Sequence, residues 1–527
     1  MTLHIRAPHL ANAPNSSVTT TARGAASMPT TGAPAARHLA AAILAGLLVT
    51  TLIVPPAAAR PMEPQPSWYA GSGPGVVASW NATAGAAAIA ACLAPTDDPL
   101  HESRLYAMTH LAIHDALNAI HARFQPYTAG GAPAPGASPE AAVAAAARDV
   151  MVPVLTAIPA PFPPSCGASG VAVVEAAYED AIQAVPAGPS REAGVAVGQQ
   201  AAARILALRA DDGSLTPLVD SAYPQGTAPG QYRFTPGNDF AFAPGWGAVT
   251  PFVERRWPDL RTNRPYDVGS RRYAADVAEV QRLGGDGVTT PSARTPDQTQ
   301  AALFWVESSP LQWNRIARTV AEARHLDLWQ SARLFALINV ALADGYVGSF
   351  RTKYAHNFWR PVTAIRAAAS DGNRQTVADP TWTPLVGTPP IPEHESAHAV
   401  QGAAAAQVMR RVLGTDRVAF STCSLTLLDG QRCDDLDPVV RSYRSLSQAA
   451  DENGESRILV GFHFRHAVED GMDLGRLLGD RTVQLTLLPL SGPHGGRAAA
   501  AGGDGPEPVR GTVLNRLPSI GGAMVPV

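Results

Sequence analysis

A lone lysine and a following arginine are the first residues whose types and spacing suggest chemistry. The chain has 41 Lys and Arg residues, and Lys353 is its only lysine. A position that keeps an ammonium while every other cation is a guanidinium indicates a need for a compact charge. Arg360 follows seven residues later, and Pro361 disfavours the helical conformation at Arg360, so a helix is expected to end around there. The two cations could then converge from a helix end and the loop after it.

Such a pair is costly beside aromatic side chains unless an anion neutralises it. The nearest acidic residue upstream is Asp344 and the nearest downstream is Asp371. We therefore interpret Lys353 and Arg360 as part of an anion site, with a structural ion pair as the alternative.

The segment PPIPEHESAHAVQG supplies a second set of polar groups. Its prolines favour an extended chain, so a helix is expected to begin at Ser396. The free N–H groups of a first helical turn, here including Ala397, form an anion site. His398 would lie in that turn, where it can exchange a proton with the bound group.

A zinc peptidase is an alternative, because His394 to His398 match HExxH. That chemistry needs a third ligand downstream. Position 404 is alanine, and no Glu occurs between Glu395 and Glu452. The pattern is therefore disfavoured as a zinc site.

A third segment pairs Ser456 and Arg457 with His463 in an otherwise apolar helical stretch. On an ideal helix Arg457 and His463 lie about 120° apart, so the long guanidinium would have to reach back toward the target of the imidazole. Buried structural polar groups are the alternative interpretation for this segment taken alone.

Together the three segments resemble the phosphate-binding site shared by vanadium-dependent haloperoxidases and type 2 phosphatidic acid phosphatases. That superfamily pattern is K-x6-RP, then PSGH, then SR-x5-H. It is matched by Lys353-x6-Arg360-Pro361, then Glu395-Ser396-Ala397-His398, then Ser456-Arg457-x5-His463. The stretches KYAHNFWRPVTAIRAA and GFHFRHAVEDG also look like the bacterial haloperoxidase branch, and LAIHDALNAIHARFQPY does so more weakly.

The resemblance implies an all-α fold of two helical bundles forming one body, with vanadate as the cofactor. It implies an enzyme that uses hydrogen peroxide to oxidise halide to a hypohalous acid equivalent, and it leaves a small organic acceptor open. His398 would be the acid–base group and His463 the axial ligand of vanadium. The remaining groups would hold the oxyanion: Lys353, Arg360, Ser396, Ala397 and Arg457.

Two departures from the family pattern concern Ala397 and Ala467. Ala397 replaces the usual Gly and keeps its backbone N–H. Ala467 stands where the phosphatases carry Asp, so the carboxylate that orients His463 is missing or is replaced by Asp470 or another residue. This weakens the alternative of an acid phosphatase, in which His463 must be a strong nucleophile. A binding protein without turnover is a third class, and His398 argues against it.

Helical periodicity recurs along the chain, and no β alternation of useful length appears. We expect a helical region at 60–265, with a Gly-, Pro- and Ala-rich arm at 60–100 and a long ordered loop or lid at 211–265. A catalytic helical domain at 266–489 and a loose tail at 490–527 would follow. Within the catalytic domain, the long pattern from Trp313 to Lys353 is predicted to break near His325.

The N-terminal 59 residues predict export. They contain no Asp, Glu or Lys, and an apolar run after Arg37 ends at Pro55, before Ala57-Ala58-Ala59. This order is typical of a cleaved signal peptide, with translation starting at Met1 or at Met28. An uncleaved membrane anchor is the alternative. We expect a mature protein that is secreted or periplasmic and not inserted in the membrane.

The net charge indicates which partners are expected, and the cysteine content indicates which disulfides are expected. The formal net charge of −3 and the absence of a basic block exclude nucleic acid as an expected partner. Four cysteines without a CxxC motif predict two disulfides in an exported chain. Cys423 and Cys433 flank a short polar loop and are the expected pair, which leaves Cys92 with Cys166; unpaired buried thiols are the alternative.

Overall fold

The computed structural model describes residues 75–253 and 264–490, and helices carry the fold of these ranges. In chain order the helices are α1 Val76–Ala90, α2 Pro99–Ile120, α3 Pro139–Thr156, α4 Pro164–Ala184, α5 Pro189–Leu208, α6 Arg271–Leu283, α7 Pro296–Phe304, α8 Ser309–Ala323, α9 Leu328–His356, α10 Pro361–Ala367, α11 Ala397–Leu413, α12 Leu446–Leu459 and α13 Arg465–Leu485.

Strands are minor elements of the described ranges. Strand β1 (Val219–Asp220) pairs antiparallel with β2 (Ala241–Phe242), and β3 (Phe420–Thr422) pairs antiparallel with β4 (Arg441–Tyr443). The prediction of an all-α fold is therefore confirmed.

Helix α1 was not predicted. Residues 60–100 were expected to form a Gly-, Pro- and Ala-rich arm, and this prediction was wrong for the residues of α1. Val76–Ala90 forms four helical turns, with Trp80 and Ala84 buried. The helix was missed because nearly every residue in it is apolar or small, so its sequence shows no amphipathic period. Alanine nevertheless has the highest intrinsic helix propensity.

The predicted break near His325 is confirmed. Helix α8 ends at Ala323, and α9 begins at Leu328 after a capping box formed by Asp327 and Gln330. His325 lies between them with φ 48°, a left-handed conformation that cannot continue a helix.

Close helix packing brings the parts of the predicted site together. Gly471, Gly475 and Gly479 recur every fourth residue on the face of α13 that meets α11. A methyl group at Gly471 would lie 2.7 Å from the carbonyl oxygen of Ser396. Because glycine has no side chain, the two backbones can approach closely, and the start of α13 is held beside the start of α11.

The hydrophobic core runs without interruption through both halves of the described chain. Helix α9 lies at its centre and packs against α2, α11 and α13. No helix of the described ranges is long and apolar enough to cross a membrane. The predicted signal peptide at 1–59 and the tail from residue 491 onward lie outside the described residues.

Both predicted disulfides are confirmed. Cys92 is bonded to Cys166 across a separation of 74 residues, and Cys423 is bonded to Cys433 across a separation of 10. The first bond joins the end of α1 to the start of α4, and the second closes the loop that follows β3.

Candidate active site

All three predicted segments meet at one end of a cavity of about 480 Å³. Of the predicted site residues, five line its wall: Arg360, Ala397, His398, Arg457 and His463. The other two, Lys353 and Ser396, are fully buried behind that wall.

Lys353 lies in the last turn of α9 and anchors the segment that leads into α11. Its Nζ donates hydrogen bonds to the carbonyl oxygens of Pro392 (3.1 Å) and Glu393 (2.9 Å). Burial, and then the nearby charge of Arg360, hold the pKa of the Lys353 ammonium well below its usual range. The side chain therefore positions the backbone as well as adding positive charge.

Arg360 occupies the N-cap of α10 in an extended conformation, as the following proline predicts. Its Nε donates to the carbonyl oxygen of Ile391 (2.7 Å), and its Nη1 donates to that of Phe462 (2.9 Å) and to Nε2 of His463 (2.9 Å). Burial lowers the pKa of Arg360 to about 10. The guanidinium thus joins the loop before α11 to the loop before α13.

Arg457, at the end of α12, gives the clearest indication of a bound anion. The side chain is 1% exposed, and none of its three nitrogens has a hydrogen-bond partner in the described part of the chain. Burial, and then Arg360, lower the pKa of Arg457 to about 9. Each unmet buried donor is destabilising, so the cavity in front of Arg457 fits an acceptor with several oxygens.

The N-terminus of α11 offers further donors to the same ligand. Ser396 is the N-cap residue, as predicted, and its buried Oγ has no hydrogen-bond partner among the described residues. Its backbone N–H donates to the carbonyl oxygen of Ala467 at 2.9 Å. The free N–H groups of the first turn of α11 therefore add to the positive potential of Lys353, Arg360 and Arg457.

The two histidines of the HExxH pattern do not share a helical face. The helix begins at Ala397, so His394 lies in the loop before it, with Nε2 3.3 Å from Oδ2 of Asp470. His398 instead places Nε2 3.3 Å from the carbonyl oxygen of Glu307. Within the described ranges, no cluster of three His, Cys, Asp or Glu side chains could hold a metal ion.

The imidazole of His398 is neutral and can accept a proton. Burial, and then Arg457, hold the pKa of its imidazole well below the usual range. When Nε2 donates to Glu307, Nδ1 carries the lone pair. Glu307 is itself held by Arg315, whose Nη1 and Nη2 donate to the carboxylate at 2.9 and 2.5 Å.

Glu393 is the site residue that the sequence analysis missed. Its Oε1 accepts hydrogen bonds from Nδ1 of His463 and from the backbone N–H of Phe464, both at 3.0 Å. This arrangement leaves the lone pair of His463 on Nε2, which faces the cavity and accepts from Arg360. The carboxylate that orients His463 is therefore present, although it comes from a different segment than in the family pattern.

Asp470 does not fill that role. Its Oδ2 lies 3.3 Å from Nε2 of His394 and 3.4 Å from Nε2 of His466. The sequence analysis could not choose between the acidic residues because Glu393 lies 70 positions from His463 along the chain. Its position three residues before Ser396 was the only clue.

Comparisons with known proteins identify relatives of the part of the chain that holds this site. Residues 333–492 match the sequence model of the VCPO second helical-bundle domain. The vanadium chloroperoxidase of Curvularia inaequalis is 28% identical over 270 residues, which cover 41% of this chain and 43% of that protein. Residues 333–492, which hold all seven predicted site residues, are therefore similar to the helical-bundle domain of vanadium haloperoxidases. The chain thus spans less than half the length of that curated relative in the match.

Solved structures of the family share the fold. A bacterial vanadium-dependent iodoperoxidase has a TM-score of 0.61 and 23% identity, over 79% of this chain and 97% of that one. The apo form of a bacterial vanadium-dependent chloroperoxidase has a TM-score of 0.55 and 15% identity, over 74% and 93% of the two chains. The helical fold around the site is therefore the haloperoxidase fold.

Proposed function

We propose that this protein binds vanadate and catalyses the oxidation of halide by hydrogen peroxide. The observation that carries the proposal is the buried guanidinium of Arg457, whose three nitrogens have no acceptor among the described residues. Arg457 lines a cavity shared with Arg360, His398 and His463. A tetrahedral oxyanion would supply the missing acceptors. The similarity of this part of the chain to vanadium haloperoxidases supports vanadate as that oxyanion.

Five groups of this chain would hold the oxyanion through charge, N–H or O–H donors: Lys353, Arg360, the Ser396 hydroxyl, the Ala397 N–H and Arg457. Bound vanadate would supply a Lewis-acid centre for peroxide that need not change its oxidation state. His463 would be the side chain that binds it, since the bond from Nδ1 to Glu393 leaves a lone pair on Nε2. An imidazole whose second nitrogen is fixed by a carboxylate is the usual arrangement of a metal-ligating histidine.

The acid–base role falls to His398. A neutral imidazole can accept a proton from hydrogen peroxide as it enters and return it to the oxygen that leaves as water. Over the whole reaction, halide takes up one peroxide oxygen as a hypohalous acid equivalent, and the other oxygen is reduced to water with the uptake of one proton. Lys353 would stabilise the negative charge that develops on the peroxide oxygens.

The test is vanadate-dependent bromination of a freely diffusing 1,3-diketone by the purified protein with peroxide and bromide. We expect activity only with vanadate, and competition by phosphate. His398→Ala should lower the rate by about a hundredfold or more, whereas His121→Ala, an exposed histidine remote from the cavity, should not. A wild-type protein that takes up vanadate and leaves the diketone unmodified would overturn the proposal.

An acid phosphatase is the second candidate, and the Glu393–His463 pair is the observation that favours it. The sequence analysis disfavoured this activity because Ala467 provides no carboxylate, and that reason no longer stands. A carboxylate-oriented imidazole is also what a histidine nucleophile needs. Phosphomonoester hydrolysis should therefore be measured beside bromination; rapid hydrolysis without halide oxidation would select the phosphatase.

A further inference from the structure

The cavity is too large for an oxyanion, peroxide and halide alone. A water molecule takes up about 30 Å³ of liquid, so these small species together need on the order of 200 Å³. The cavity has about 480 Å³. More than half of it is thus left beyond Arg360, Arg457 and the two histidines, and this volume lies in the range of pockets that bind organic molecules.

Aromatic side chains line the remaining volume, which we call the outer cavity. Phe240, Phe242 and Phe350 contribute to the wall, and each is 9% exposed or less. The rings of Phe242 and Phe350 meet edge to face, with centroids 6.4 Å apart. Because these rings are held by packing, they present a preformed surface on which a flat apolar ligand can stack.

The long loop between α5 and α6 builds this wall and the mouth of the cavity. Phe240 and Phe242 come from that loop, and so does the exposed Asp239. Asn238 ties the loop to the opposite side, because its Nδ2 donates to Oγ1 of Thr235 (2.9 Å), whose own hydroxyl donates to the carbonyl oxygen of Thr388 (3.0 Å). The wall is therefore part of the fixed structure.

Charge divides the cavity into two ends. The inner end is cationic, through Arg360 and Arg457. Asp97, which is half-buried, and Asp239, which is exposed, also line the cavity, so we take their side as its mouth. Asp239 makes no hydrogen bond or ion pair within the described ranges. An acidic mouth disfavours a ligand whose outer end is anionic and favours one that is neutral or positively charged there.

We infer that the outer cavity binds an electron-rich aromatic acceptor, neutral or cationic at its outward end, and holds its ring toward the oxyanion site. The inference rests on the proposed function for its chemistry. The ring carbon would form a bond to halogen and lose its proton, while the hypohalous acid equivalent gives up its hydroxide, and the two leave as water. No oxidant beyond hydrogen peroxide is needed.

Binding can be tested without turnover. Three para-substituted phenols share the same ring and carry an outer end that is cationic, neutral or anionic: tyramine, 4-hydroxyphenylacetamide and 4-hydroxyphenylacetate. Saturation-transfer NMR would be recorded with inorganic phosphate present to occupy the cationic end. We expect tyramine and the amide to bind more tightly than the acetate, and Asp239→Asn to reduce the preference for tyramine.

Two variants test whether the phenols bind against the aromatic wall of the outer cavity. Phe240→Leu should weaken binding of the amide about fivefold, the size expected for loss of one aromatic contact. Phe234→Leu, in the same loop but outside the cavity, should leave binding unchanged, and thermal unfolding of both variants checks that they fold. Binding that is equal in both variants, or absent from the wild type, would overturn the inference.

A competition experiment measures whether bromination takes place within the cavity. Wild-type protein with vanadate, peroxide and bromide would brominate a mixture of the phenol amide and the 1,3-diketone. We expect a higher share of brominated phenol than added hypobromous acid gives, and a return toward that reference ratio in Phe240→Leu. An identical ratio would overturn the cavity assignment alone, whereas a diketone left unmodified would overturn the proposed function as well.

Discussion

At the scale of single residues, the dominant feature is a group of three buried cations, one of which has no hydrogen-bond acceptor among the described residues. Lys353, Arg360 and Arg457 are each 1% exposed or less, and two of them satisfy backbone carbonyls. Arg457 alone has no hydrogen bond within the described ranges. The buried, unpaired charge of Arg457 lowers the stability of the folded protein, and a bound oxyanion would restore that stability.

This leads to a prediction for Arg457→Met. Replacing a buried unpaired charge with an apolar side chain of similar length is expected to be neutral or stabilising. Without oxyanion, the variant should unfold at the same temperature as the wild type or higher. With vanadate at a hundred times its Kd, the wild type should gain about 2.7 kcal/mol, and the variant should gain far less.

Thermal unfolding with and without vanadate or phosphate measures both effects. Arg444→Met removes an exposed arginine and serves as the control, since its response to oxyanion should match the wild type. An Arg457→Met protein that is stabilised by vanadate as strongly as the wild type would show that this guanidinium does not contact the ligand.

At the scale of elements, helix contacts set the position of the site. The α11–α13 contact is built on glycines, and a methyl group at Gly475 would overlap the carbonyl oxygen of Val400 on α11. Gly475→Ala is therefore expected to lower the free energy of unfolding by about 1–3 kcal/mol. Urea unfolding measures this change.

A matched substitution separates packing from backbone flexibility. Nothing lies within 4 Å of a methyl group at Gly75, and the backbone there (φ −56°) accepts any residue. Gly75→Ala should leave stability nearly unchanged. If the two alanine variants were equally stable, the close contact of α11 and α13 would be wrong.

A second set of contacts joins four helices through buried polar groups. Asn81 on α1 donates to Nε2 of His110 on α2 (2.9 Å) and to Oδ1 of Asn314 on α8 (2.7 Å), and Asn314 donates to Asn339 on α9 (2.6 Å). Burial, and then Arg318, lower the pKa of His110 to about 3. The imidazole is therefore neutral in the folded protein at pH 7.

The sign of the pH dependence follows from that depressed pKa. The contribution of His110 to stability is complete above its ordinary pKa of 6.5 and is lost as the pH falls toward 3. Between pH 7 and pH 4.5 the wild type should lose roughly 2–3 kcal/mol through this group, and His110→Gln should not. Urea unfolding at both pH values tests this, with the exposed His121→Gln as control; equal losses in all three proteins would contradict it.

At the scale of the whole molecule, one disulfide joins two helices that are far apart in the chain, and the other closes a short loop. In a chain-entropy estimate, a bond that closes 74 residues contributes about 4.4 kcal/mol and one that closes 10 residues about 2.7 kcal/mol. Replacing Cys92 and Cys166 by serine should therefore destabilise the protein more than replacing Cys423 and Cys433. Urea unfolding of the two double variants would show this order; the reverse order would mean that native-state contacts outweigh chain entropy.

We also propose that the protein is exported, because residues 1–59 have the composition of a signal peptide and the disulfides need an oxidising compartment. N-terminal sequencing of protein recovered from the medium or periplasm should begin near Arg60. Mature protein that retains the apolar run after Arg37 would instead indicate a membrane anchor.

The helical class and the three segments of the site could be predicted from the sequence, because both depend on local patterns. Pro361 keeps Arg360 out of the helical conformation, and Ser396 caps a helix. The predicted helical stretch from Arg457 to His463 was wrong, because α12 ends at Leu459 and His463 lies in the loop before α13. Helix α1 was missed because a uniformly apolar helix has no amphipathic period to detect.

Contacts between residues that are far apart in the chain became known only from the folded structure. It brought Glu393 to His463, left Arg457 without an acceptor among the described residues, and placed Phe240 and Phe242 in the wall of the same cavity. Such contacts depend on how closely α11 and α13 pack and where the long loop after α5 lies. Many segments of a chain can offer a carboxylate or an aromatic ring, and burial of the whole core selects which of them reaches the site.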